Sequence, residues 1–147
     1  MIDKEKIKNK INIIKENLCE LEKMQVLSSE DLSHNIRDLA AAKYFIRTSI
    51  EAIIDIGAHI IAKNLLGAPS TNVEIIVILA KRGIIPERNL EIYTKMIKYR
   101  NRLTHFYGEV SVQEIYEIIQ SHLNDFESFI QDIVIYLDKN KENQYLP

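Results

Sequence analysis

Apolar residues recur along this chain at the spacing of helix faces. Ile7, Ile11, Ile14, Leu18 and Leu21 step by four and three, with Lys and Glu between them, and predict a first helix over about residues 2–25. Ser28 with Asp31 forms a capping-box-like start for a second helix, which carries Leu32, Ile36, Leu39, Phe45, Ile46, Ile50, Ile53, Ile54 and Ile61 and extends to Leu66 before Gly67 and Pro69. Thr71 with Glu74 caps a shorter helix through Arg82, closed by Gly83. Pro86 suits the first turn of a fourth helix bearing Leu90, Tyr93, Met96, Ile97 and Leu103. After Gly108, Ser111 and Glu114 cap a fifth, with Val112, Ile115, Ile119, Leu123, Phe126, Ile130, Ile133 and Leu137 along one side. The expected fold is all-α, an antiparallel bundle of about five helices formed by residues 1–138, followed by a polar tail over 139–147.

Length and composition agree with that reading. At 147 residues the chain has one domain's worth of sequence, and 4 glycines and 3 prolines are too few for the turns of a strand-rich fold. No apolar run is long enough to span a membrane, and the charged start Met1-Ile2-Asp3-Lys4-Glu5-Lys6 does not read as a secretory leader. The single cysteine, Cys19, cannot form an internal disulfide, so the expectation is a cytoplasmic protein in which Cys19 is a packing residue. Helix five also carries Ile118, Phe129, Val134 and Tyr136 beside its main stripe; a homodimer would bury the excess, as would a large core.

The net charge of −2 argues against an overall basic nucleic-acid binder, but the charges are unevenly placed. Residues 81–102 carry 7 basic and 2 acidic groups, whereas 103–147 carry 2 and 8. The cationic segment ends in Lys98-Tyr99-Arg100-Asn101-Arg102-Leu103-Thr104-His105-Phe106-Tyr107. His105 can take or give a proton near pH 7, Arg100 or Arg102 can hold a phosphate, and Tyr99 and Tyr107 can stack on bases. No metal-ligand spacing, Walker loop or glycine-rich cradle accompanies them. These parts suit metal-free cleavage of RNA, in which a base deprotonates the 2′-hydroxyl and a cation steadies the phosphorane. The plainer alternative is a helix C-terminus whose cations stabilise its last carbonyls.

Spacing constrains the site. On one continuous helix Arg100 and His105 are about 140° apart around the axis, whereas Arg102 and Asn101 each share a face with His105. Either the helix ends near Thr104 and His105 swings onto a turn, or a second protomer completes the pocket. Elsewhere, Asp55 and His59 lie four apart and could pair, a structural role being the plainer one and a place in a dimer cleft the sharper. His34 and His122 read as solvated or interfacial, and Lys4, Lys6, Lys8 and Lys10 as a solvated surface.

Arg100-Asn101-Arg102-Leu103-Thr104-His105-Phe106-Tyr107 resembles the R-x4-H-x-Y motif of the HepT toxins of the HEPN ribonuclease superfamily. The likeness extends over about residues 40–135 and includes Ile53-Ile54-Asp55-Ile56-Gly57-Ala58-His59-Ile60 and Leu79-Ala80-Lys81-Arg82-Gly83-Ile84-Ile85-Pro86. The resemblance implies a homodimer whose motifs meet in a shared cleft and cleave cellular RNA without metal or other cofactor. Arg100 and His105 would be catalytic, with Asn101, Arg102 and Tyr99 supporting RNA binding. It further implies an antitoxin partner, an MntA-type nucleotidyltransferase that uses ATP to place AMP on Tyr107. The alternative is a catalytically silent helical partner of such a nucleotidyltransferase. The chain is less basic than an RNA enzyme would favour.

Overall fold

The computed structural model describes residues 2–105 and 107–143, with the side chains of Tyr107 and of 141–143 outside the description. Seven α-helices and no strand occur among these residues: α1 (Lys4–Lys23), α2 (Ser29–His34), α3 (Ile36–Lys63), α4 (Asn72–Lys81), α5 (Leu90–His105), α6 (Val112–Ser121) and α7 (Leu123–Asn143). The all-α bundle is as expected; seven helices replace five because two long helices are each broken at one residue. Asn35 leaves helical geometry at φ −124°, and its side chain accepts from the Asp38 N–H at 3.1 Å, closing α2 and capping α3. His122, at φ −121°, divides α6 from α7.

Other boundaries move for local reasons. α3 ends at Lys63, before Leu66, because Leu65 adopts φ 53°, a left-handed conformation that glycine usually supplies at a helix end. Pro86 precedes a 3₁₀ turn at Glu87–Asn89, so α5 begins only at Leu90. At the other end α7 continues to Asn143, into the segment expected to be a tail.

α3 is the central element, packed against α1, α4, α5 and α6. The α1 stripe is buried as read, from Ile7 through Leu21, in one core with Ile46, Ile50, Ile53, Ile56, Ile60 and Ile61 of α3. A polar lock accompanies this seam. Asn17 of α1 donates through Nδ2 to the Phe45 carbonyl at 3.3 Å, Thr48 Oγ1 at 2.9 Å and Ser49 Oγ at 3.0 Å. α4 approaches where Gly57 has no side chain; a Cβ there would lie 2.5 Å from Ile75 Cγ2. Ile36 departs from the stripe and stands 82% exposed at the start of α3, while Cys19 is exposed and not a packing residue. Of the extra apolar positions on α7, Phe129 is fully buried and Val134 is open to solvent. No described helix is long and apolar enough to cross a membrane.

Asp55 and His59 do not pair with each other. Asp55 binds Lys10 Nζ at 2.9 Å, and His59 Nε2 accepts from the backbone N–H of Asp3 at 3.0 Å, fastening the start of α1 to α3. Burial lowers the His59 pKa below its usual value, with Lys6 and Lys63 adding to the shift and Asp3 opposing it. The unfolded chain therefore takes up a proton that the folded one resists. Stability is expected to be independent of this group above about pH 6.5, to fall as the pH drops below that value, and to stop falling once His59 is protonated in the fold. Thermal unfolding from pH 7.5 to 5 checks this: His59→Gln should lose less stability over that interval than the parent.

Candidate active site around the cationic helix

The end of the cationic segment lies on α5, which packs against α3 and α4 and is tied to α6 by the Arg102–Glu114 ion pair. Arg100 points to α3: its Nη2 donates to Glu51 Oε1 at 3.2 Å, and the same oxygen accepts from Arg47 Nη1 at 2.9 Å. Arg100 Nη1 also reaches Asn101 Oδ1, at a long 3.5 Å, while Arg100 Nε is buried without a partner. Arg102, two residues on, turns to the other flank and donates to Glu114 Oε1 at 3.1 Å and to the Glu109 carbonyl at 3.3 Å. Its guanidinium also lies over the Tyr99 ring, 5.5 Å from the centroid.

Tyr99 is half-buried and its hydroxyl is enclosed with no partner. Burial pushes its pKa well above the usual phenol value, and the neighbouring Glu114 carboxylate adds to the shift while Arg102 opposes it. Tyr99 is thus a neutral phenol at physiological pH, with one ring face shared with Arg102. A groove of about 510 Å³ runs beside it, with a floor that includes Ile46, Ile50, Met96 and Phe126.

His105 is the last residue of α5 and is exposed. His105 is still helical rather than placed on a turn, and on ideal helix geometry residues 100 and 105 lie about 140° apart around the axis. Arg102 and Asn101 do share a face with His105. Thr104 spends its hydroxyl on the Arg100 carbonyl at 3.0 Å. The backbone at Tyr107 enters a 3₁₀ turn, Tyr107–Glu109; its side chain, and all of Phe106, lie outside the described residues.

Two residues of this cluster, Glu51 and Arg47, escape a reading of the sequence. Their spacing of four on a helix signals an ion pair, but nothing in the order of residues says that Arg100 would join it. His34 and His122 are both exposed; His122 Nδ1 lies 3.5 Å from Asp125. Among the described residues no three His, Cys, Asp or Glu side chains gather as they would around a metal ion.

The model of the family described as "Ribonuclease HepT-like" matches residues 14–133. The chain is 35% identical over 83 residues to the mRNA nuclease HepT of Shewanella oneidensis, a match that covers 56% of this chain and only 62% of that protein. It is 24% identical over 131 residues to the tRNA nuclease HepT of Aphanizomenon flos-aquae, covering 89% of each. A solved structure of the tri-AMPylated Shewanella oneidensis HEPN toxin in complex with an MNT antitoxin superimposes with a TM-score of 0.81 at 27% identity, over 92% of this chain and 99% of that one. With the family model spanning most of its length, and with a HEPN toxin's fold, the chain belongs to the ribonuclease HepT-like family.

Proposed function

We propose that this protein is the endoribonuclease toxin of a toxin–antitoxin pair, acting at a site completed by a second copy of the chain and without a metal ion. The observation that carries the reading is the course of α5. His105 and Arg100 sit on one unbroken helix and diverge, so a phosphate between them requires a partner's motif. Arranged about a two-fold axis, the Arg100 side chain of one protomer faces the imidazole of the other. His105 takes the proton from the ribose 2′-hydroxyl; that oxygen attacks the adjacent phosphorus, and the P–O5′ bond breaks. Arg100 offsets charge on the nonbridging oxygens as it grows. Asn101 and Arg102, on the His105 face, support the strand. The similarity to nucleases named for mRNA and tRNA substrates favours RNA.

The test is incubation of purified protein with RNA in excess chelator. Fragments ending in 2′,3′-cyclic phosphate are expected, and a substrate carrying 2′-deoxyribose at the cleaved position should stay intact. Requirement for an added divalent ion, or cutting of the deoxy substrate, would exclude this chemistry.

The partner in this reading is an MntA-type nucleotidyltransferase that transfers AMP from ATP to Tyr107, two residues beyond His105. The neighbouring structure of an AMPylated toxin bound to its antitoxin supports it. The added phosphates would bring negative charge and bulk to the site and compete with RNA for the arginines. Co-expression with such a partner should raise the mass of the chain by whole AMP units, and Tyr107→Phe should abolish the gain. An unmodified chain still inhibited by the partner would mean that binding alone silences it.

A further inference from the structure

Resting on the ribonuclease reading, we propose that Glu51 is a positioning residue: its carboxylate fixes the guanidinium of Arg100, and Arg47 holds that carboxylate in place. One oxygen, Glu51 Oε1, accepts from Arg47 at 2.9 Å and from Arg100 at 3.2 Å, joining α3 to α5. All three side chains are partly enclosed, with exposures of 33% for Arg47, 30% for Glu51 and 23% for Arg100. The remaining contacts of Arg100 are too weak to orient it. Its Nη1 bond to Asn101 is at the 3.5 Å limit, and its Nε has no partner. The ion pair with Glu51 is therefore what selects one rotamer from the many open to an arginine.

Charge explains why two arginines are present. A carboxylate beside a single arginine would cancel the positive charge needed by a phosphate and would repel the substrate. Arg47 restores the balance, since two guanidinium groups and one carboxylate leave a net charge of +1. The cluster can thus be both rigid and cationic. An arginine has five N–H donors, so Arg100 keeps donors for a phosphate while bound to Glu51. α3 enters the catalytic machinery by this route although it holds none of the reacting groups.

The consequence is kinetic. Glu51→Ala leaves Arg100 loosely held and facing the unneutralised Arg47, so kcat should fall by about 10- to 100-fold, the order expected for a misplaced catalytic group, with KM changed by less than about 3-fold. Glu51→Gln keeps an acceptor oxygen and should recover most of that loss. In an Arg100→Ala background, Glu51→Ala should change kcat by less than about 2-fold, because its effect passes through Arg100. Side-chain nitrogen NMR of the free protein gives a readout independent of turnover: the Arg100 guanidinium should rotate slowly in the parent and average freely in Glu51→Ala. Equal losses in both backgrounds, or an Arg100 equally restricted with and without Glu51, would overturn the proposal. An ordered Arg100 in a parent that cuts no RNA would overturn the ribonuclease reading and leave the clamp standing. A mobile Arg100 in a parent that does cut RNA would overturn the clamp.

Discussion

Replacing His105 with alanine is expected to slow RNA cleavage by about 10²–10⁴-fold, the range that a general base supplies. Arg100→Ala should cost a similar factor, about 10²–10³, through the charge it no longer offsets. Neither change should disturb the fold: His105 is exposed, and Arg100 contributes one partly exposed ion pair, an interaction that stabilises proteins by about 1 kcal/mol at most. Circular dichroism and gel filtration of both variants should match the parent. The informative experiment mixes them. If each site takes Arg100 from one chain and His105 from the other, a dimer of one Arg100→Ala and one His105→Ala chain retains one intact site. Random pairing makes about half of the dimers mixed, so an equimolar mixture should regain about a quarter of the parental rate. No regain, with mixed dimers shown to be present, would mean that both residues come from a single chain. The helical geometry described above argues against that arrangement.

The largest effect on stability is expected at Phe129. Its side chain is fully buried on α7 and meets the Tyr93 ring of α5 edge-on, with centroids 5.3 Å apart and planes at 86°. Tyr93 is itself buried, and its hydroxyl is held by Asp132 on α7, which also accepts from Asn89 at 3.0 Å. Burial first, and then the hydrogen bond to Asp132, raise the Tyr93 pKa far above the usual phenol value, so this hydroxyl stays a donor throughout the working pH range. Phe129→Ala opens a cavity between α5 and α7, which the Tyr93–Asp132 hydrogen bond still joins. Unfolding in urea should report a loss of about 3–5 kcal/mol. For a chain of this size that loss lowers the melting temperature by about 6–20 °C. A loss below about 1 kcal/mol would show that the neighbouring helices collapse into the space.

Much of the bundle was legible from the isoleucine spacing, because burying one face of a helix leaves a mark in every turn. The breaks at Asn35 and His122 were not. Leu32, Ile36 and Leu39 step by four and three across the first, as do Ile119, Leu123 and Phe126 across the second, so the periodicity runs on while the backbone does not. Ile36 shows the hazard directly: it keeps the register of the stripe and yet is 82% exposed. Local cues gave the helix starts at Ser28, Thr71 and Ser111, where each hydroxyl accepts from the backbone N–H three residues on. At the candidate site, Arg100 and His105 were singled out by the resemblance of their stretch to the R-x4-H-x-Y motif. Glu51 could not be, since its meaning comes only from the packing of α3 on α5. The pairing of Asp55 with Lys10, and of His59 with the Asp3 N–H, was hidden for the same reason.

Arg100 and Arg102 grip opposite flanks of one helix, the first on α3 and the second on α6. Such a helix is keyed on both sides, and rolling it about its long axis in either sense would tear one of the two fastenings. Whatever docks at its free end meets a motif whose azimuth is already set. Adjustment on docking must then come from the approaching molecule.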